Sequence, residues 1–321
     1  MTGGGLTPSH DPHGFGGVER RRAPRTIMPD APAAEPSASP LCPLTSDELR
    51  AMVREALEED GAFNDLTTAA TVVSDRHARG RLVARERGVV AGVSLAVEAF
   101  RQLDPKITIR VDAEDGDSVE PGATVLFLTG HARALLSAER VALNFLQRLS
   151  GIATLTRRFV EAVEGTGARI YDTRKTTPGW RRLERFAVRA GGGVNHRFDL
   201  ASAVLIKDNH LVAMDGQVAA AVHRARELAP PGTEIEVECD TREQVIAALE
   251  AGPDIVLLDN MPPELLRECV ELARARGVAT EASGGITLHT VRKVAETGVD
   301  RIWIGALTHS PPALDLALDF Y

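Results

Sequence analysis

From Thr45 onward, apolar positions recur with two different periods, and the change of period divides the chain. TSDE (45–48) offers a capping box, with Thr45 as N-cap and Glu48 three positions on. Leu49, Met52, Val53, Ala56 and Leu57 then fall on one helical face. GRLVARERGVVAG (80–92) and KITIRVDAEDGDSVEPGATVLFLTG (106–130) read as strands broken by Gly, Asp and Pro turns, with a helix SLAVEAFRQL (94–103) between them. A long helical stretch follows over 132–163, with Gly151 as a candidate interruption. Residues 46–145 therefore read as an N-terminal α+β sandwich domain, to which the C-terminal segment 309–321 is joined.

Past residue 168 short apolar runs alternate with helices. The strands are ARIYDT (168–173), SAVLIKD (202–208), TEIEVEC (233–239), DIVLLD (254–259), VATEAS (278–283) and DRIWIG (300–305), with a seventh around 189–194. Helices at 217–229, 242–252, 263–277 and 288–298 fill the gaps. Such alternation argues a parallel α/β sheet. No glycine-rich dinucleotide fingerprint follows the first strand, so an incomplete α/β barrel of about seven strands over 146–308 fits better than an open doubly wound sheet. Residues 1–45, rich in Gly, Pro, Ala and Ser without apolar periodicity, read as a disordered tail with no secretory h-region.

Charge sharpens the picture. The chain carries a net −8, which disfavours a general nucleic-acid or membrane-surface binder. Residues 169–210 nonetheless hold nine Arg/Lys against four acids. That is a local excess suited to a small polyanion, although an Arg-rich solvated helix face at 181–189 accounts for part of it. Cys42, Cys239 and Cys269 are scattered, which fits a reducing cytoplasm and neither a disulfide framework nor a zinc site. No apolar run reaches the roughly 18 residues of a membrane helix.

Barrel enzymes carry their chemistry at the carboxyl ends of the strands. Read there, the sequence gives Arg174 and Lys175, then Lys207, Glu238, Asp259, Ser283-Gly284-Gly285 and Gly305-Ala306. Two of the chain's four lysines, Lys175 and Lys207, are in this set. SGGI and IGAL place small residues where backbone N–H groups can face a phosphate, with His309 nearby. Glu238 and Asp259 across from them suit ribose hydroxyls or Mg2+, and the arginines suit a carboxylated second substrate. Together these point to glycosyl transfer from a sugar pyrophosphate.

DTRKTTPG (172–179), GGGVNHR (191–197), LIKDNH (205–210), EVECD (236–240), LLDNM (257–261) and EASGGI (281–286) occur in an order and spacing that resemble the quinolinate phosphoribosyltransferases over about residues 46–321. The resemblance implies transfer of phosphoribose from phosphoribosyl pyrophosphate to quinolinate. The products are nicotinate mononucleotide, pyrophosphate and CO2, a step of NAD synthesis. It also implies roles. Arg174, His196 and Arg197 hold the two quinolinate carboxylates, with Arg140 reaching in from a neighbouring subunit of a homodimer. Lys175 and Lys207 lie near quinolinate and pyrophosphate, and Glu238 and Asp259 near the ribose and Mg2+. Ser283, Gly284, Gly285 and Gly305 cradle the 5′-phosphate, with His309 at the edge. Three other readings compete: a paralogous phosphoribosyltransferase with another acceptor, a barrel aldolase using Lys207 as Schiff-base nucleophile, and a non-catalytic anion-binding module. The intact Arg140, His196 and Arg197 set speaks against the first. The unexplained Arg174–Lys175 pair speaks against the second, and acids within a basic pocket against the third.

Overall fold

The structure, a computed structural model, describes residues 42–321, Met1 and the backbone of Arg25–Ile27. In chain order the first elements are β1 (Arg25–Ile27), α1 (Ser46–Glu59), α2 (Leu66–Thr71), β2 (His77–Ala84), β3 (Gly88–Val89), α3 (Val93–Leu103), β4 (Thr108–Val111), β5 (Ser118–Val119), β6 (Thr124–His131) and α4 (Ala132–Ala162). Then come β7 (Arg169–Tyr171), α5 (Arg181–Ala190), β8 (Val204–Ile206), α6 (Asp208–Val212), α7 (Val218–Leu228), β9 (Ile235–Cys239), α8 (Arg242–Ala251) and β10 (Ile255–Asp259). The chain closes with α9 (Pro263–Arg274), β11 (Ala279–Ser283), α10 (Val291–Ala295), β12 (Arg301–Trp303), α11 (Ala306–His309) and β13 (Leu316–Phe320).

The capping box at the head of α1 forms as its residues dictate: the Thr45 N–H donates to Glu48 Oε2 at 2.8 Å, and the Glu48 N–H donates back to Thr45 Oγ1. Leu49, Val53 and Leu57, the helical stripe, are buried. They join Phe100 and Leu95 of α3, Leu126 and Leu128 of β6 and Leu135, Leu146 and Leu149 of α4 in the core. Each such side chain contributes about 1.5–3 kcal/mol by leaving water. The antiparallel sheet beside this core has the order β1-β4-β6-β2-β13, so the C-terminal strand is an edge of the N-terminal sheet. Within the tail expected to be disordered, Arg25–Ile27 pairs antiparallel with β4 instead. Backbone groups on a sheet edge can recruit a passing segment without any apolar pattern in it. The remainder of that expectation, over 2–24 and 28–41, lies outside the described residues.

α4 runs unbroken through Gly151, so the expected interruption is corrected. The glycine answers a packing demand. A Cβ there would sit 2.1 Å from the Pro312 carbonyl oxygen, and the bare backbone lets the C-terminal segment lie against the helix. The boundary expected at 145/146 thus falls inside one continuous 31-residue helix that packs on both parts of the molecule.

The second part is α/β with a six-stranded parallel sheet ordered β7-β12-β11-β10-β9-β8. Within this sheet β7, the first strand in chain order, pairs with β12, the last. Val194 adds one parallel bridge to Tyr171 on the other side of β7. α5 corrects the picture of a solvated arginine face: Leu183, Glu184, Arg185, Phe186, Ala187 and Val188 are all buried. Its arginines are structural ties as much as surface charge.

Candidate active site

The register of the parallel sheet sorts its side chains into two faces. Leu205 pairs with Glu236, Glu238 with Leu257 and Leu257 with Glu281, Asp259 with Ser283, Glu281 with Arg301, and Trp303 with Tyr171. Paired positions and positions two apart share a face, so one face carries Glu236, Glu238, Asp259, Glu281, Ser283, Arg301 and Trp303. The opposite face carries Ile206, Val237, Cys239, Val256, Leu258, Ala282 and Ile302, all buried. A cavity of about 810 Å³ opens at the carboxyl ends of the polar face. Arg174, Lys175, His196, Arg197, Lys207, Glu238, Asp259, Ser283, Gly284, Gly285, Gly305 and His309 all line it. Arg140, on α4, is exposed and lies outside this lining.

At one end, two cationic motifs are locked together by an acid. Asp172, fully buried, accepts from the His196 N–H and from Asn195 Nδ2, both at 2.7 Å. Arg185 lies 3.5 Å from the same carboxylate and donates to the carbonyls of His196 and Arg197. The aspartate of DTRK thereby sets the backbone of NHR, which explains why the two motifs act as a unit. Burial, and next Arg174 beside it, pulls the Arg197 guanidinium down from its ordinary value. Arg174 Nε is buried without a partner. Two crowded, partly desolvated guanidiniums gain most from an anion arriving between them.

Behind the cavity lining, His196 Nε2 lies 3.3 Å from Glu236 Oε2 and 3.7 Å from Glu281 Oε2, both glutamates being buried. Arg301 pairs with Glu281 at 2.9 Å. Burial pushes Glu236 up to about 7 and Glu281, with Glu236 beside it, up to about 8. Burial also lowers His196, against the pull of Glu281. The two carboxyls therefore titrate as a pair that keeps a proton near neutrality.

Across the cavity Lys207 Nζ donates to Glu238 Oε2 at 2.5 Å. A lysine engaged in an ion pair is poorly suited to Schiff-base attack, which needs a free amine. Carboxylate oxygens of Glu238, Asp240 and Asp259 lie within 4.8 Å of one another, an all-oxygen set that fits a hard divalent cation. Asp259 is held by Ser283 Oγ on one oxygen and by Asn260 Nδ2, at 2.6 Å, on the other. Gly284, at φ +97°, leaves no room for a side chain, since a Cβ would come 2.2 Å from Asn260 Oδ1. At Gly305 a Cβ would press on Lys175 and His309, each under 3.4 Å away. Glycine there admits both side chains. Behind the lysine, the Thr308 hydroxyl donates to the Lys175 carbonyl. Arg148 of α4 bridges the Thr308 carbonyl and Glu184, whose carboxylate also accepts from the Thr177 N–H and hydroxyl.

Sequence reading missed Glu236, Asp240, Asn260, Glu281 and Trp303. The signal for Glu236 was present in TEIEVEC, where glutamates alternate with apolar residues, whereas Glu281 stands alone in VATEAS. The Asn260 signal is its backbone: φ +54° is tolerated best by Gly and Asn.

Comparison with known proteins agrees with this geometry. The family model for the quinolinate phosphoribosyl transferase C-terminal domain matches residues 152–319, and that for the N-terminal domain matches 65–150. A Mycobacterium leprae nicotinate-nucleotide pyrophosphorylase [carboxylating] is 45% identical over 85% of this chain and 97% of its own. A Bacillus subtilis probable nicotinate-nucleotide pyrophosphorylase [carboxylating] is 43% identical over 85% and 93%. The solved nicotinate-nucleotide pyrophosphorylase of Francisella tularensis superposes with a TM-score of 0.81 at 37% identity, covering 88% of this chain and 99% of that one. With motifs, face and cavity agreeing along nearly the whole described length, the chain belongs to the quinolinate phosphoribosyltransferase family.

Proposed function

We infer that the cavity transfers phosphoribose from phosphoribosyl pyrophosphate to quinolinate with loss of CO2, giving nicotinate mononucleotide for NAD biosynthesis. The observation that carries this is one polar sheet face with a cationic cluster at one end and a glycine cradle with an acidic trio at the other. Arg174, Arg197 and His196 take the two acceptor carboxylates. Backbone N–H groups at Gly284, Gly285 and Gly305, with Ser283 and His309 at the edge, take the 5′-phosphate. Glu238 and Asp259 face the ribose and, with Asp240, would hold Mg2+, which when bound offsets pyrophosphate charge. As pyrophosphate leaves, Lys175 and Lys207 balance the charge it carries away while the ribose becomes oxocarbenium-like. The pyridine nitrogen then attacks C1′ from a pose fixed by the arginine forks, so positioning supplies much of the acceleration. The ring nitrogen, now cationic, stabilises the electron pair left on C2 as CO2 departs, and a proton from water then takes that position on C2.

The strand order supports a barrel of seven strands left open along one seam. Following β8 through β12 to β7 and then Val194 brings the chain round in sequence, with no reversal of order. Curling around the polar face would enclose its charged side chains while the helices cover the apolar one. Arg140, exposed in the single chain, completes the acceptor end of a second copy, so the working unit is a homodimer. Three free cysteines and a small-molecule chemistry fit a cytoplasmic enzyme. Among the described residues no helix is long and apolar enough to cross a membrane. Incubating the purified protein with phosphoribosyl pyrophosphate, Mg2+ and either quinolinate or nicotinate tests the acceptor. Mononucleotide from quinolinate alone is expected, and product from nicotinate alone would reassign it.

A further inference from the structure

The acceptor end holds one large side chain that the transfer chemistry leaves unused. Trp303, the last residue of β12, lines the cavity two residues before Gly305. Its register partner is Tyr171, and its ring meets that of His196 at 4.2 Å and 68°. The rest of the lining consists mainly of charged, hydroxyl and small residues, and Trp303 is its one aromatic ring apart from the two imidazoles. Its indole Nε1–H is buried without an acceptor, a cost that Leu or Phe would avoid if filling space were the whole task.

We propose that Trp303 is a specificity-determining wall that contacts the pyridine ring of quinolinate and steadies it as it becomes cationic. This rests on the acceptor assignment above. Once Arg174, His196 and Arg197 take the two carboxylates, what remains of the acceptor is a flat, largely apolar ring. Trp303 shares a corner with His196 and so adjoins the place where the carboxylates are held. Attack on C1′ puts a positive charge into that ring, and indole has the strongest negative π-face among the aromatic side chains. An apolar wall also keeps water away from the carboxylate that leaves, which favours CO2 loss. A pocket that used cations alone would accept any suitably spaced dicarboxylate. One that also presents an indole favours aromatic ones.

The chain has only two tryptophans, and Trp180 stacks on Phe145 away from this lining. In a Trp180→Phe protein, emission therefore reports Trp303 alone. Adding quinolinate well beyond its KM is expected to quench it. Phthalate, the same dicarboxylate on a ring without nitrogen, is expected to quench it too. Succinate, with two carboxylates and no ring, should not. In steady-state assays Trp303→Leu should lower kcat/KM for quinolinate roughly threefold to tenfold while leaving the KM of phosphoribosyl pyrophosphate unchanged, with Trp303→Phe intermediate. Turnover of quinolinate with Trp303 emission unchanged, or wild-type kinetics in Trp303→Leu, overturns the wall alone. A wild-type protein that forms no mononucleotide from quinolinate overturns the acceptor assignment and the wall with it.

Discussion

At the scale of single residues the account depends on groups whose burial makes them sensitive. Arg197→Ala removes a fork that Asp172 and Arg185 position through the NHR backbone. The quinolinate KM should rise roughly 10- to 100-fold, with the KM for phosphoribosyl pyrophosphate little changed, as steady-state kinetics would show. An equal rise in both would mean that the arginine supports the fold rather than the acceptor. Glu281 makes a second prediction, on stability. Its folded-state value is raised from 4.5 to about 8 by burial and by Glu236, with His196 and Arg301 opposing. Its contribution to stability is therefore complete at low pH and is lost as pH rises through about 8. The wild-type Tm should fall between about pH 4.5 and pH 8, and Glu281→Gln should flatten that fall. A variant that loses Tm as steeply as the wild type would assign the dependence to other groups. Residue by residue, the carboxyl ends of strands were the legible part of the site. Lys175, Lys207, Glu238 and Asp259 stand where a chain switches from apolar to polar, a visible event. Glu236 and Glu281 were not legible in this way, because a charged residue inside a strand reads as a surface position until the strand pairing and the packing around it are known.

Elements were legible in proportion to their length. β9, β10 and β11, five residues each, lie inside their expected runs. β7, β8 and β12 shrink to three, since only the part with a neighbour keeps ladder hydrogen bonds. The expected strand near 189–194 survives as a single bridge at Val194, because α5 runs to Ala190 and takes most of its residues. Gly151 was misread because a glycine that ends a helix and one that admits a neighbouring backbone look alike in sequence. That reading predicts an outcome: Gly151→Val should force the Pro312 segment off α4 and cost several kcal/mol, roughly 2–4, measured by urea unfolding. Unchanged stability would show that the segment can shift freely. Arg148 links α4 to the active-site loop through Glu184, whose side chain is fully buried. Arg148→Ala leaves that carboxylate without its cation, and a loss of about 3 kcal/mol is expected together with lower activity.

For the whole molecule, the division of labour follows from one sheet with two unlike faces. The apolar face builds the core with the helices, and the polar face gathers charge that an acidic surface elsewhere balances. Arg140 extends the argument beyond one chain. If it completes a partner's acceptor end, Arg140→Ala protein and Lys207→Ala protein should each be nearly inactive. Mixing them through a cycle of dissociation and reassociation should restore up to about a quarter of wild-type activity, because random pairing leaves some sites with neither defect. No recovery in verified mixed dimers would confine Arg140 to its own chain. The reaction as a whole joins the acceptor nitrogen to ribose and then releases the adjacent carboxylate. Quinolinate labelled with 13C in its 2-carboxylate, incubated with phosphoribosyl pyrophosphate and Mg2+, tests it most directly by mass spectrometry of both products. Labelled CO2 and unlabelled nicotinate mononucleotide are expected in equal amounts. Mononucleotide that keeps the label, or CO2 released without mononucleotide, would contradict it.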